Sequence, residues 1–290
     1  PITELANVIP LVAGISSGAL WMNYNKTRYQ GYEVSLGWSD KAGDFSYAVN
    51  GWAAGQFSKV LRVDEMNYKQ AYRSKVGYSS SAIWGLRYIG QFQSDAETLE
   101  VPQLFDESLV AGDLKYEDMN GDGFVDDNDV CVIGDSSPKL IYGITVNLKY
   151  RDFDLFLAGT GRAFYDIALT NGYFWNGWSD GNYSRYTLDN VNNPSHPRLT
   201  YNKVENNYKT SSYWLTDGGF FKLQTVELGY ELPVHRLNIA RGIRGLRVYI
   251  RGNNLLTLTD VKYVDPEAIN SGISNYPLMR TFVAGIKVTF

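Results

Sequence analysis

The 290-residue chain has one cysteine, two histidines and no apolar run approaching the ~18 residues of a membrane helix. A lone Cys131 excludes an internal disulfide and says little about redox compartment. His196 and His235 stand far apart, with no acidic or cysteine partner at ligand spacing, so neither a zinc centre nor histidine-based catalysis is supported. A net charge of −4 leaves no basic footprint for nucleic acid and no polybasic membrane patch. There is no P-loop, nucleophile elbow or paired catalytic carboxylate, and Gly159-Thr160-Gly161 is only a fragment of a nucleotide fingerprint. The chain is therefore expected not to be an enzyme. Asn25-Lys26-Thr27 and Asn182-Tyr183-Ser184 match the glycosylation pattern, which is short and common by chance.

The missing apolar run does not exclude a membrane. A transmembrane strand needs about 9–11 residues with every second one apolar, so its hydropathy averages out. No basic stretch followed by an apolar core stands at the N-terminus, and the chain opens on Pro1-Ile2-Thr3 without Met, so a fragment of a longer polypeptide is expected.

What is abundant is Tyr, at 22 residues, with seven Trp and 28 Gly, a bias toward strands and turns. Period-two alternation follows. It places Tyr32, Val34, Leu36 and Trp38 on one face of a first strand, and Phe45, Tyr47 and Val49 on that of a second, across a turn at Ser39–Asp44. A third strand carries Tyr142, Ile144, Val146, Leu148 and Tyr150, and turns at Arg151-Asp152 into a fourth with Phe153, Leu155 and Leu157. The fifth, about 220–232, sets Val226, Leu228 and Tyr230 opposite Glu227, Gly229 and Glu231. The sixth alternates Leu246, Val248 and Ile250 with Arg247, Tyr249 and Arg251, and the last sets Phe282, Ala284, Ile286, Val288 and Phe290 against Val283, Gly285, Lys287 and Thr289. Residues 1–27 read as irregular, and long insertions are expected at about 57–138 and 162–219.

Short turns at one end of a sheet and long loops at the other are the habit of outer-membrane barrels, whose interiors tolerate charges such as Arg247, Glu227 and Lys287. Bacterial single-chain barrels have an even strand count, so seven strands do not close alone. The expected fold is all-β: seven or so strands from the end of a larger antiparallel transmembrane barrel, with the remainder of the same barrel as their partner.

Asp118-Met119-Asn120-Gly121-Asp122-Gly123-Phe124-Val125-Asp126-Asp127-Asn128-Asp129 has EF-hand loop spacing. Calcium takes six to eight hard oxygens, and this spacing offers Asp118, Asn120, Asp122, the Phe124 carbonyl, Asp126 and Asp129. Asp129 stands where an EF-hand has Glu, and the flanks are not helical. The reading is a structural Ca2+ loop, set against a merely solvated acidic turn.

The 162–219 segment interleaves aromatics with Asn, Asp and Ser. Such side chains suit sugar faces and hydroxyls, or peptide side chains. Most are expected to pack the loop; Tyr173, Trp175 and Trp178 are the expected ligand contacts.

Along nearly its whole length the sequence resembles the C-terminal part of SusC/RagA-type TonB-dependent outer-membrane transporters of Bacteroidota. Leu5-Ala6-Asn7-Val8-Ile9-Pro10-Leu11, Tyr29-Gln30-Gly31-Tyr32-Glu33-Val34 and Ala111-Gly112-Asp113-Leu114-Lys115-Tyr116-Glu117-Asp118-Met119-Asn120-Gly121-Asp122-Gly123 carry the likeness. It continues through Leu228-Gly229-Tyr230-Glu231-Leu232-Pro233 and Arg251-Gly252-Asn253-Asn254-Leu255-Leu256-Thr257. The resemblance implies a barrel of the ~22-stranded class, plugged by an N-terminal domain and capped by a SusD-like lipoprotein. It implies import of oligosaccharides or peptides, driven by TonB acting through a part that lies upstream. Gly285, Val288 and the terminal Phe290 resemble the outer-membrane assembly signal, with Val283 departing from the usual polar residue. Two alternatives stand beside this reading: a secreted, calcium-stabilised all-β carbohydrate-binding protein, and a siderophore-type receptor without a SusD-like partner.

Overall fold

The computed structural model describes residues 2–5, 20–106, 108–176, 184–190, 192–193, 196–234, 242–269, 276 and 278–290. Its strands are β1 (Ile2–Leu5), β2 (Leu20–Asn23), β3 (Lys26–Ala42), β4 (Phe45–Arg62), β5 (Ala82–Gly85), β6 (Tyr88–Gln91), β7 (Leu114–Tyr116) and β8 (Cys131–Asp135). They continue as β9 (Leu140–Tyr150), β10 (Phe153–Ala163), β11 (Asp166–Ala168), β12 (Leu215–Asp217), β13 (Phe220–Leu232), β14 (Gly245–Thr259) and β15 (Thr281–Thr289). One short α-helix, α1 (Arg185–Asn190), is found among the described residues. Seven strands form one sheet in the order β15-β14-β13-β10-β9-β4-β3, antiparallel throughout. This is the expected meander of seven strands.

The strands run longer than alternation alone suggested. β3 begins at Lys26 and continues through the polar Ser39-Asp40-Lys41 to Ala42, which pairs with Phe45 across a two-residue turn. Gly43 holds φ +61 there, which a glycine adopts without strain. β4 likewise continues to Arg62, so the first long loop starts after residue 62 rather than near 57. Hydrophobic periodicity fades where both faces of a ribbon meet polar surroundings, although backbone pairing continues. Residues 2–5 and 20–23, expected to be irregular, pair as β1 and β2. At the second short turn Arg151 takes φ 52. Its guanidinium Nε donates to Asp44 Oδ2 at 2.9 Å and its N–H to the Asp44 carbonyl at 3.2 Å, so the two turns are tied together.

The register assigns every side chain to a face. One face carries Leu36, Val49, Val146, Leu157, Leu228, Ile250 and Ile286; the other carries Ser35, Asn50, Asn147, Asp154, Glu227, Arg251 and Lys287. The apolar face stays exposed away from the sheet's edges as well: Ile250 is 60% and Leu228 44% accessible, as a wall facing hydrocarbon requires. Two aromatic rows bound it. Phe45, Tyr150, Phe153 and Tyr230 pair across four strands near the short turns. Tyr142 and Phe221 flank Gly161 eight positions up β10 from Phe153, with ring centroids 6.2 Å apart. Eight residues at ~3.4 Å span about 27 Å. At a 35–45° strand tilt that is roughly 20 Å of membrane normal, comparable to the ~25 Å apolar band between aromatic girdles. The phase of β13 slips between Leu223 and Thr225, so that Phe221 and Leu223 share the apolar face with Val226 and Leu228.

The buried core lies beyond the sheet. Leu86, Leu114, Tyr116, Val125, Ile167, Phe174, Tyr208, Trp214, Val261 and Ile269 form a single cluster drawn from the β4–β9, β10–β13 and β14–β15 connections. The long loops make one packed cap with its own hydrophobic interior.

Candidate functional site

Toward the lumen, the polar face is organised by a ladder of ion pairs. Arg247 Nε donates to Asp154 Oδ1 at 2.9 Å while its Nη2 reaches Asp154 Oδ2 and, at 2.7 Å, Glu227 Oε1; Arg251 completes the chain on Glu227 at 2.5 Å. Glu227 faces Arg251 directly in the register, but Asp154 and Arg247 lie on strands separated by β13. The side chain of Arg247 crosses over Gly229, where any Cβ would lie within about 2.5 Å of Arg247 Cζ and Asp154 Oδ1. Gly229 is therefore the gap through which the bridge passes. Charges placed this way cost little on a water-filled lumen and would be intolerable on the opposite face.

Above this ladder Lys222 is nearly fully buried, 2% accessible, with its ammonium 2.6 Å from both Asp265 Oδ1 and Glu267 Oε2 of the β14–β15 loop. This clasp folds the last loop over the inner wall. The neck of the first loop is fastened by a second polar chain: Ser58, Ser79 and Ser81 hydroxyls at 2.9 Å steps, then Asp135 and Lys139, each 2.6 Å from its neighbour.

Inside the cap, Asp113 has no exposed surface and accepts from Arg198 Nε at 2.8 Å, Asn207 Nδ2 at 2.7 Å and Val110 N–H at 3.0 Å. Asn207 Oδ1 in turn accepts from Leu114 N–H, and Asn206 Nδ2 donates to the Leu114 carbonyl. These bonds sew β7 to the segment before β12. Around them pack Trp214, Tyr208, Tyr186 and Phe174 at centroid distances of about 5–6 Å. Burial raises the Tyr116 and Tyr213 phenols well above their ordinary range. His196, buried beside Tyr186, is pushed the other way by desolvation, and its ring Nδ1 sits 2.7 Å from the Pro197 carbonyl.

Of the expected ligand contacts, Tyr173 and Trp175 are half-buried against the cap core, Trp175 edge-on to Tyr208 and Trp214. Trp178 lies outside the described residues. The packing role expected of most loop aromatics is the role in which these two rings are seen.

The acidic loop is closed by its own backbone. Asp118 accepts from Gly121 N–H at 2.6 Å and Gly123 N–H at 2.9 Å; Asp129 accepts from Met119, Asn120 and Asp126 N–H groups at 2.8–3.3 Å. Asp122 and Asn120 bond each other at 2.8 Å, and Asp126 caps the short helical turn at 127–129. Gly121 and Gly123 take φ 73 and 94, and Val125 exchanges backbone bonds with Pro102 and Leu104. Burial opposes ionisation of Asp118, but the N–H groups of Gly123 and Gly121 outweigh it and hold the carboxyl below its usual range. For Asp129 burial prevails and raises the value. Among the described residues no group of three or more Asp, Glu, His or Cys side chains gathers as a metal-holding set. The curvature expected of a calcium loop is present, while its carboxylates are directed at backbone N–H groups rather than at one point.

In the last strand Gly285 lies under the Tyr249 ring, Val288 is on the apolar face, and Phe290 follows the strand's end, 78% exposed.

Comparison with known proteins fixes the lineage. No protein-family model matches. TonB-dependent receptor P26 of Formosa agariphila is 30% identical over 315 residues, covering 97% of this chain and 31% of that protein. TonB-dependent receptor SusC of Bacteroides thetaiotaomicron is 22% identical across 99% of the chain. The structure of the RagAB peptide transporter superposes with a TM-score of 0.70 at 19% identity, covering 98% of this chain and 31% of that one. The chain belongs to the SusC/RagA-type TonB-dependent receptors. It spans about a third of the length of the curated relatives it matches. TonB-dependent receptors of this type are outer-membrane β-barrels, and the seven-stranded sheet is a segment of such a barrel wall.

Three features of this SusC/RagA segment escaped sequence reasoning. Lys222 read as an ordinary polar strand residue, because its two carboxylate partners lie more than forty positions away. Asp113 and the Asn206-Asn207 pair sat in segments without periodicity. The Gly229 gap was visible only as a small residue in an alternating strand.

Proposed function

We propose that the chain forms wall and extracellular cap of an outer-membrane importer. In this reading it crosses the membrane as multiple strands, takes up oligosaccharides or peptides with energy delivered by TonB, and works with a SusD-like surface lipoprotein. It acts as a transporter and not as an enzyme. The observation that carries this reading is the division of one sheet into an exposed apolar face bounded by aromatics and a lumenal face of ion pairs, with a packed cap on the long-loop end. A secreted carbohydrate-binding protein would have no use for that exposed apolar face. The solved relatives described as peptide importers supply the transport analogy, and the SusC relative supplies the family.

The test is uptake by cells carrying or lacking the complete gene, with outer-membrane fractionation and affinity purification alongside. Gene-dependent import of oligosaccharides or peptides and co-purification of a lipoprotein are expected. Recovery in the soluble fraction would overturn the reading, and import without any lipoprotein would favour a siderophore-type receptor.

Calcium on the Asp118–Asp129 loop belongs to the same proposal. Ligand type, spacing and loop curvature support it. Calcium titration of the purified receptor should raise its thermal midpoint, and Asp118→Ala together with Asp122→Ala should abolish the shift. Equal midpoints in calcium and in chelator would remove the ion from the account.

A further inference from the structure

Resting on the importer reading, we propose that Trp52 is a lumenal stacking platform for a neutral sugar ring of the cargo. Trp52 lies on the lumenal face of β4, in one row with Ser35, Gly143, Thr160 and Lys222. It stands seven residues above Phe45, about 24 Å along the strand, one position short of the Ala53–Tyr142 pair that leads into the upper aromatic row. That height is the top of the wall, where Lys222 already clasps the cap three strands away.

The indole is laid across the wall. A Cβ on Gly143 would come 2.5 Å from Nε1, 2.6 Å from Cε2 and 2.9 Å from Cζ2 of Trp52, so the ring covers the bare backbone of Gly143 closely. One side of the indole is thereby given to the wall. The residue remains 40% accessible, and on this face the open side is the lumen. Its neighbours by register are short and uncharged: Ser35 directly across, and Asn50 and Thr145 as a pair one row below.

A flat aromatic face beside hydroxyl and amide groups matches the chemistry of a pyranose, which has an apolar C–H face and a rim of hydroxyls. A peptide segment would offer few C–H faces of that shape. Glu33, one row toward the cap across from Ala54, can accept sugar hydroxyls as well. The chemical class is therefore a neutral oligosaccharide.

The experiment uses the complete receptor in outer membranes of cells lacking the native gene, with surface abundance measured for each variant. Probes are a panel of fluorescently labelled neutral linear oligosaccharides and a panel of labelled peptides. For the wild type, binding of oligosaccharide is expected. Trp52→Ala should weaken it about tenfold, the loss of one aromatic face, and Trp52→Phe should retain most of it. Gly143→Ala, which keeps the indole but lifts it off the wall, should also weaken binding at unchanged abundance. Unchanged binding by Trp52→Ala overturns the platform, and so does a fall in binding that merely tracks lost abundance. A wild type that takes up peptides but no oligosaccharide overturns it while leaving the importer standing; a wild type that takes up neither panel removes both.

Discussion

Replacing Asp113 by Ala should loosen the cap without disturbing the wall. The carboxylate is wholly buried and accepts three hydrogen bonds, from Arg198, Asn207 and the Val110 N–H. Its removal strands the Asn207 amide, itself 1% accessible, and leaves Arg198 without its buried counter-charge. Breaking a buried pair by deleting one partner costs about 3–5 kcal/mol. Arg198 is one-third exposed and can recover some solvation, which favours the lower half of that range. About 3.5 kcal/mol corresponds to a several-hundred-fold rise in the opening equilibrium. The assay is hydrogen–deuterium exchange on the purified full receptor. Peptides carrying Leu114, whose N–H is held by Asn207, and those spanning 206–214 should exchange faster by roughly that factor. The β9 and β10 strands should be unchanged. An acceleration below about tenfold, or one spread equally over cap and wall, would refute the view that Asp113 holds an independent packed unit.

Gly229→Ala should displace Arg247 from Asp154 and lose at least one charge-assisted bond, about 1.5–3 kcal/mol; a thermal midpoint equal to wild type would contradict the gap assigned to it. His196 is held below its ordinary pKa by burial, so the unfolded cap binds the proton more readily. Cap stability should therefore be full at neutral pH and fall as pH drops below about 6.5. Protection factors of the 196–214 region, taken relative to intrinsic exchange at each pH, should fall between pH 7.5 and 5.5, and His196→Phe should flatten that dependence. Deleting Phe290 should lower outer-membrane assembly several-fold, checked by the amount of heat-modifiable receptor; normal amounts would contradict the assembly role read from the last strand.

The wall was legible because a barrel strand is its own signal. Apolar side chains at every second position of 140–150, 226–232 and 246–251 could not serve a sheet of any other phase, and Arg151-Asp152 marked the turn. What alternation could not supply was the extent of β3 and β4, where Ser39-Asp40-Lys41 continue pairing without apolar character. Nor could it supply the bulge after Leu223, where the phase slips. The cap was less legible still. Its core joins Leu86, Phe174 and Val261 from three separate loops, and contacts at such separation leave no period in the sequence. Composition alone does not separate a packing aromatic from a ligand contact, so the half-buried packing of Tyr173 and Trp175, with Trp175 edge-on to Tyr208 and Trp214, was not legible in the sequence. The acidic loop showed its curvature in its glycines, and kept its hydrogen-bond partners hidden, because those are backbone groups that every sequence possesses.

In the proposed importer one face of this sheet meets lipid and the other a watery lumen. Adjacent residues in the middle of a central strand test it directly. In the full receptor with Cys131 and every other native cysteine replaced by Ser, a single cysteine would be placed at Val146 or at Asn147, which the register assigns to opposite faces of β9. A fluorophore at 146 should be quenched by brominated lipid and shielded from a water-soluble quencher, and one at 147 should show the reverse. Equal quenching from water at both positions would contradict the barrel wall and the importer built on it.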